Sequence, residues 1–162
     1  MEAARRANEG DLRVLVDLWR MAVDDVGVLR GGATLVANLT RAEPLEPALR
    51  ADLTAPDRLV VAGCIDETVV GVAAAYRHRP PSKPAQAHCV VEMLFVETAA
   101  RFVGVGGAMM DVVVAWAADW GCVGVDAPAL PGARDAKAFF ETTGLVARLL
   151  VMHRSLPAEV AR

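Results

Sequence analysis

An apolar strand that runs into a glycine-rich turn and then a helix is the feature that most narrows the fold of this chain. The run Ala87–Val96 is followed by Arg101-Phe-Val-Gly104-Val-Gly106-Gly107, and then by Met109, Val113, Trp116 and Trp120 at helical spacing. A helix start leaves its first N–H groups without intrahelical partners and turns the positive dipole end outward. Such a start takes up phosphate or pyrophosphate without a side-chain charge. Glycines let the backbone come close to a ligand. A dinucleotide fingerprint would require a further glycine where Met109 stands, and no Gly-Lys-Ser/Thr follows, so neither the Rossmann nor the P-loop pattern is met. NAD and ATP are therefore disfavoured as ligands.

The rest of the chain supplies a mixed order of elements. A short strand near Ala3–Ala7 leads into a helix capped by Asn8, with Asp11 completing a capping box. The helix has an apolar stripe at Leu12, Leu15, Val16, Trp19, Val23 and Val26. Prolines 44, 47 and 56 divide the next segment into short helical pieces. Arg58–Ile65 and Val69–Tyr76, separated by Asp66-Glu67-Thr68, read as a hairpin. After the glycine turn and its helix come a strand at Cys122–Asp126, a helix at Arg134–Thr142 closed by Gly144, and a strand at Val146–Arg154. This order predicts one α/β domain over residues 1–162. Its sheet is antiparallel through the N-terminal strands, with a parallel pair beside the glycine turn and helices on the flanks.

Composition sets limits on partners. Hydrophobic residues make up 54% of the 162, enough for a sizeable core. The 17 Lys+Arg against 20 Asp+Glu give a net charge of −3. That balance offers no basic footprint for nucleic acid and no polybasic membrane patch. Charges interrupt every apolar run before the roughly 20 residues of a membrane span. The charged start carries no apolar signal region. Cys64, Cys89 and Cys122 are odd in number and apolar in context, which predicts reduced core thiols in a cytoplasmic compartment. His78 and His153 lack ligand spacing, so no metal is expected. His88 and Cys89 are adjacent and point to opposite strand faces, which argues against a Cys–His dyad.

The segment Glu92-Met-Leu-Phe-Val96-Glu-Thr-Ala-Ala-Arg101-Phe-Val-Gly104-Val-Gly106-Gly resembles the acetyl-CoA-binding segment of the GNAT superfamily of N-acetyltransferases. That pattern is Arg/Gln-x-x-Gly-x-Gly/Ala after a strand ending in Val-x-Pro. Ala136-Lys-Ala-Phe139-Phe140-Glu-Thr-Thr-Gly144-Leu145 is similar to the family's Ala-x-x-Phe-Tyr-x-x-x-Gly-Phe, and Arg6-Ala-Asn-Glu-Gly-Asp-Leu12 to its opening. The resemblance implies a single-domain acetyltransferase that moves an acetyl group directly from acetyl-CoA to a small-molecule or peptide amine, often as a homodimer. It implies that Leu94, Phe95 and Val96 offer backbone groups to the pantetheine arm. Arg101, Phe102, Val103, Gly104, Val105, Gly106, Gly107 and Ala108 would form the pyrophosphate loop, with the amides of residues 103 to 108 as its cradle. Phe139 and Phe140 would lie near the thiol, with Ala133 beside them.

Departures from the pattern bear on catalysis. Thr98 replaces the usual proline, Ala133 the usual asparagine, and Phe140 the tyrosine that often protonates the leaving thiolate. A phenyl ring has no proton to give, which keeps open an alternative: a catalytically weak or non-catalytic acyl-CoA-binding or interaction protein on the same fold. Glu92, an acid in an apolar strand on one face with Leu94 and Val96 by period two, is the candidate base for the acceptor amine. Tyr76, the single tyrosine, is the substitute acid or an acceptor-site wall. Asp24 and Asp25 end the first helix against its dipole and are candidates to attract a cationic acceptor.

Overall fold

The computed structural model describes residues 1–39 and 41–156; residue 40 and residues 157–162 of the expected domain lie outside the described residues. Five strands form one sheet in the order β1-β2-β3-β4-β5: β1 (Glu2–Arg6), β2 (Arg58–Ile65), β3 (Thr68–His78), β4 (His88–Val96) and β5 (Gly124–Asp126). Strands β1 to β4 pair antiparallel, and β5 joins β4 in parallel. Helices α1 (Leu12–Gly27), α2 (Gly32–Leu39) and α3 (Leu45–Thr54) lie between β1 and β2 in the chain. Helix α4 (Val105–Asp119) links β4 to β5, and α5 (Arg134–Thr142) follows β5.

The sheet is buried on both faces, as alternate residues record. Val60, Ala62, Val72 and Ala74 pack with Leu15, Trp19, Leu45 and Leu49 of α1 and α3. Leu59, Val61, Ala73 and Ala75 pack instead with Met109, Met110, Val113 and Trp116 of α4. Gly63 and Gly71 face each other across β2 and β3 directly beneath α4. A Cβ on Gly63 would stand 2.7 Å from both Met109 Sδ and Val105 Cγ1, and one on Gly71 would stand 3.0 Å from Met109 Cε. The missing side chains let the first turns of α4 rest on the sheet, closer than any alanine pair would allow.

The entry into α1 is tied down as its capping residues predict. Asn8 Oδ1 accepts from Gly10 N at 2.9 Å, and Asp11 Oδ2 accepts from Asn8 N at 2.8 Å, the two halves of a capping box. Arg5 on β1 donates both terminal nitrogens to the Asp11 carboxylate, at 2.7 and 2.8 Å, and so locks strand to helix.

Three features depart from the sequence expectations. Strand β5 is only Gly124–Asp126, shorter than Cys122–Asp126. Residues 146–154, expected as a strand, have no regular structure, and Leu149 and Met152 are 87% and 84% exposed. Strand propensity needs a ladder to pair with, and here no strand is paired outside β5 among the described residues. The third departure is a β-bulge in β4: Ala74 pairs with Met93 but its neighbour Ala75 pairs with Val91, so Glu92 is an extra residue. Val91 therefore packs on the α4 side while Met93 packs on the α1–α3 side. Glu92 does not share a face with Leu94 and Val96, because the bulge shifts the alternation by one.

Candidate functional site

The turn after β4 takes its shape from two left-handed residues, Phe102 at φ 67° and Gly104 at φ 104°, after which α4 begins at Val105. The N–H groups of Val105, Gly106 and Gly107 belong to the first turn and point away from the helix body. The amide of Ala108, expected in the cradle, instead donates to Gly104 O at 3.0 Å, the ordinary closure of a helical turn. Gly106 has helical backbone, and a Cβ there would meet the Phe139 ring at 3.1 Å, so its smallness serves the packing of α5 on α4. A Cβ on Gly107 would meet nothing within 4 Å, which leaves this side of the helix start open. The Phe102 side chain is 92% exposed.

Arg101 braces the turn. Its Nε donates to Val96 O at 2.9 Å, its Nη2 donates to Asp25 Oδ2 at 2.7 Å, and the guanidinium lies over the Phe95 ring at 5.4 Å. The end of β4, the glycine turn and the last turn of α1 are thereby held together. The acidic pair of α1 is split by this contact: Asp25 is bound to Arg101, and Asp24 is exposed.

Strands β4 and β5 pair only at His88–Val90 with Gly124–Asp126, so Val91 to Val96 continue without β5 beside them. The splay opens a cavity of about 150 Å³. Its walls come from Ala22, Val23 and Val26 of α1, residues 91–94 of β4, Pro128 to Leu130 after β5, and Ala133 and Phe140 of the α5 region, with Leu29 and Leu35 closing one side. The phenylalanines divide their work: Phe140 lines the cavity, while Phe139 meets it edge-on, 5.4 Å between ring centres, and covers Gly106. Glu92 is the one ionisable residue on the cavity wall among the described residues.

Its carboxylate belongs to a four-residue ionic cluster that sequence reasoning missed. Arg41 donates to both Glu92 oxygens and, through Nε and Nη2, to Asp52 Oδ2 at 3.2 and 2.8 Å. Arg58 Nη1 donates to Glu92 Oε1 at 3.1 Å, and its Nε lies 3.3 Å from Asp52 Oδ1. Two cations thus face two carboxylates, and the charges cancel. Burial works against the Arg41 charge, but Asp52 and Glu92 outweigh it, leaving the guanidinium pKa above its ordinary value. One signal was present in the sequence: Leu45, Leu49 and Asp52 continue a buried helical stripe, so the acid at its end needed a partner.

Tyr76 stands across from Arg58 in the ladder, with the guanidinium 5.3 Å from its ring, and it does not line the cavity. Cys89 faces the α4 core, where burial pushes its thiol up to about 12, so it carries no nucleophilic thiolate near neutral pH.

A mixed sheet splayed at one parallel pair, with a glycine-built helix start beside the splay, defines the acetyltransferase class of α/β proteins. Residues 33–145 match the family model described as the acetyltransferase (GNAT) family, and the chain belongs to that family. Curated protein sequences give no match. Solved structures share the fold. AAC(6')-Iy in complex with a CoA–acetylneamine bisubstrate analogue is 16% identical at a TM-score of 0.72, covering 97% of this chain and 99% of that one. An aminoglycoside acetyltransferase from an uncultured soil metagenomic sample, bound to trehalose, is 18% identical at 0.71, covering 96% and 95%. A transcriptional regulator from Bacillus halodurans C-125 is 21% identical at 0.70, covering 95% and 100%. At these identities the likeness is one of fold.

Proposed function

We propose that the protein binds acetyl-CoA at the α4 start and the free edge of β4, and transfers the acetyl group directly to a primary amine. The observation that carries this reading is the adjacency of two backbone surfaces. The first-turn amides of α4 suit a pyrophosphate. The edge of β4 beyond Val90, which pairs with no strand among the described residues, suits an amide-bearing chain laid alongside it as an extra strand. Acetyl-CoA fits both surfaces, and it supplies an activated thioester. Gly104 sets the turn and Arg101 fixes it to β4, so the amides are held in place before a ligand arrives. A backbone amide of Leu94 to Val96 polarises the thioester carbonyl, and Phe140 shields the reacting group from bulk water.

A second reading has its own support. Phe140 has no proton to donate, and Glu92 already accepts from two guanidiniums. With neither a free base nor a side-chain proton donor on the cavity wall among the described residues, the same site suits a slow acetyltransferase or an acyl-CoA-binding protein. One experiment separates these readings and tests both. Acetyl-CoA should raise the melting temperature while NAD and ATP leave it unchanged, since stabilisation follows RT ln(1+[L]/Kd). Thiol release with an amine panel then reports turnover. An equal shift with NAD refutes the donor site, and a shift with no thiol release selects the binding protein.

A further inference from the structure

We infer that the acceptor is a compact apolar amine, with a hydrophobic body about the size of one aromatic ring, and not a polycation. The inference rests on the acetyl-transfer reading above and concerns the acceptor side of that same cavity. Val23, Val26, Leu29 and Leu35 make its α1–α2 wall, and Met93 and Leu94 make the strand wall. The whole cavity is about 150 Å³ and the acetyl end of the donor takes part of it, so the room left for the acceptor's body is at most that of one aromatic ring.

Charge decides against a polycation. An ammonium moved from water to an apolar wall loses its hydration and needs a carboxylate in return. Among the described residues the wall offers Glu92 alone, and Arg41 and Arg58 already neutralise it. Of the two acids that follow Val23 in α1, Asp25 is committed to Arg101, and Asp24 is exposed and is not on the cavity wall. An amine carrying several charges would leave each charge placed inside the cavity unpaired. An amine with one nitrogen on a hydrophobic body enters neutral and buries its body against the valines and leucines. In the transfer its nitrogen bonds to the acetyl carbon, the carbon–sulfur bond breaks, the sulfur leaves as thiolate, and the surplus proton on nitrogen passes to that thiolate or to water. The products are an amide and free CoA thiol.

The test is calorimetric titration of the CoA-saturated protein with benzylamine, hexylamine, spermidine and neamine, followed by thiol release with acetyl-CoA. Benzylamine and hexylamine should bind about tenfold or more tighter than spermidine and neamine, a gap typical of a well-filled apolar pocket. Their kcat/KM should rise with pH as the neutral amine accumulates. Ala129→Trp, at an exposed position on the cavity rim, should weaken the apolar amines about tenfold with the melting temperature unchanged. Val23→Asp should shift the preference toward spermidine. Spermidine or neamine binding as tightly as benzylamine, or no binding by any of the four amines, overturns the inference while the donor site stands. Failure of CoA itself to bind appears before any amine is added, and it removes the donor reading and this inference together.

Discussion

Replacing Glu92 by glutamine would leave Arg41 and Arg58 against a neutral amide at a site where the Glu92 side chain is 4% exposed. Removing one partner of a buried ion pair costs about 3–5 kcal/mol when the remaining charge stays buried, and the partial exposure of Arg41 and Arg58, each still paired with Asp52, puts this site near the low end. We expect Glu92→Gln to lower the urea unfolding free energy by that order. A variant within about 1 kcal/mol of the parent but slowed 10²–10⁴-fold in turnover would instead make Glu92 the base. At Gly104 the backbone φ of 104° is strained for any residue with a Cβ. Gly104→Ala should cost about 1–3 kcal/mol, seen as a lower melting temperature. The same change should weaken CoA binding in calorimetry, because the turn that aims the α4 amides relaxes. A binding constant equal to the parent's would detach this turn from the donor site.

At the scale of elements, the start of α1 depends on pH in a direction that Asp11 sets. The Arg5 hydrogen bonds hold the Asp11 carboxyl below its ordinary value of 3.8, against the opposing effect of burial. A depressed carboxylate contributes its full stability above the unfolded value and loses it as pH falls through the native one. Asp11→Asn should therefore destabilise at pH 7, by about 1 kcal/mol for a capping contact on a half-exposed arginine. In urea titrations the gap from the parent should narrow as pH falls below 3.8 and close once the native carboxyl is protonated. A gap that stays constant would assign the loss to packing. The seat of α4 rests on Gly63 and Gly71. Gly63→Ala puts a methyl 2.7 Å from Met109 Sδ and Val105 Cγ1, which lifts the first turn of α4 and costs about 1–3 kcal/mol. Met109→Ala added to Gly63→Ala should recover part of that loss, whereas two independent sites would simply add.

At the scale of the whole molecule, exposed apolar residues gather in the stretch after α5 among the described residues. Val146, Leu149, Leu150, Val151, Met152 and Leu156 are all exposed, from 65% to 87%. Surfaces of this kind mark association. We expect concentration-dependent self-association in sedimentation velocity, abolished by Leu149→Glu with Leu150→Glu while the melting temperature holds. A monomer at every concentration would leave this stretch without a partner. The association would involve none of the residues that line the cavity, so CoA binding should be the same in both species.

Local pattern carried much of the architecture. The capping box at Asn8 and Asp11, the hairpin of β2 and β3, the glycine turn before α4, and α5 ending ahead of Gly144 all depend on residues a few positions apart. Helical spacing likewise named the apolar stripe of α1, of which Leu12, Leu15, Val16 and Trp19 are buried. The candidate donor surface was legible for the same reason, since a helix start and the strand before it are contiguous in the chain. Tertiary structure alone decided where Glu92 points, because a bulge depends on how β3 pairs with β4 and leaves no period to read. It also decided that Glu92 meets Arg41 and Arg58, from 51 and 34 positions away, with Asp52 completing the cluster. Buried charges find partners through packing, and sequence separation does not constrain which ones. The same holds for residues 146–154, where β propensity had no strand edge to pair with and an apolar run stayed in solvent.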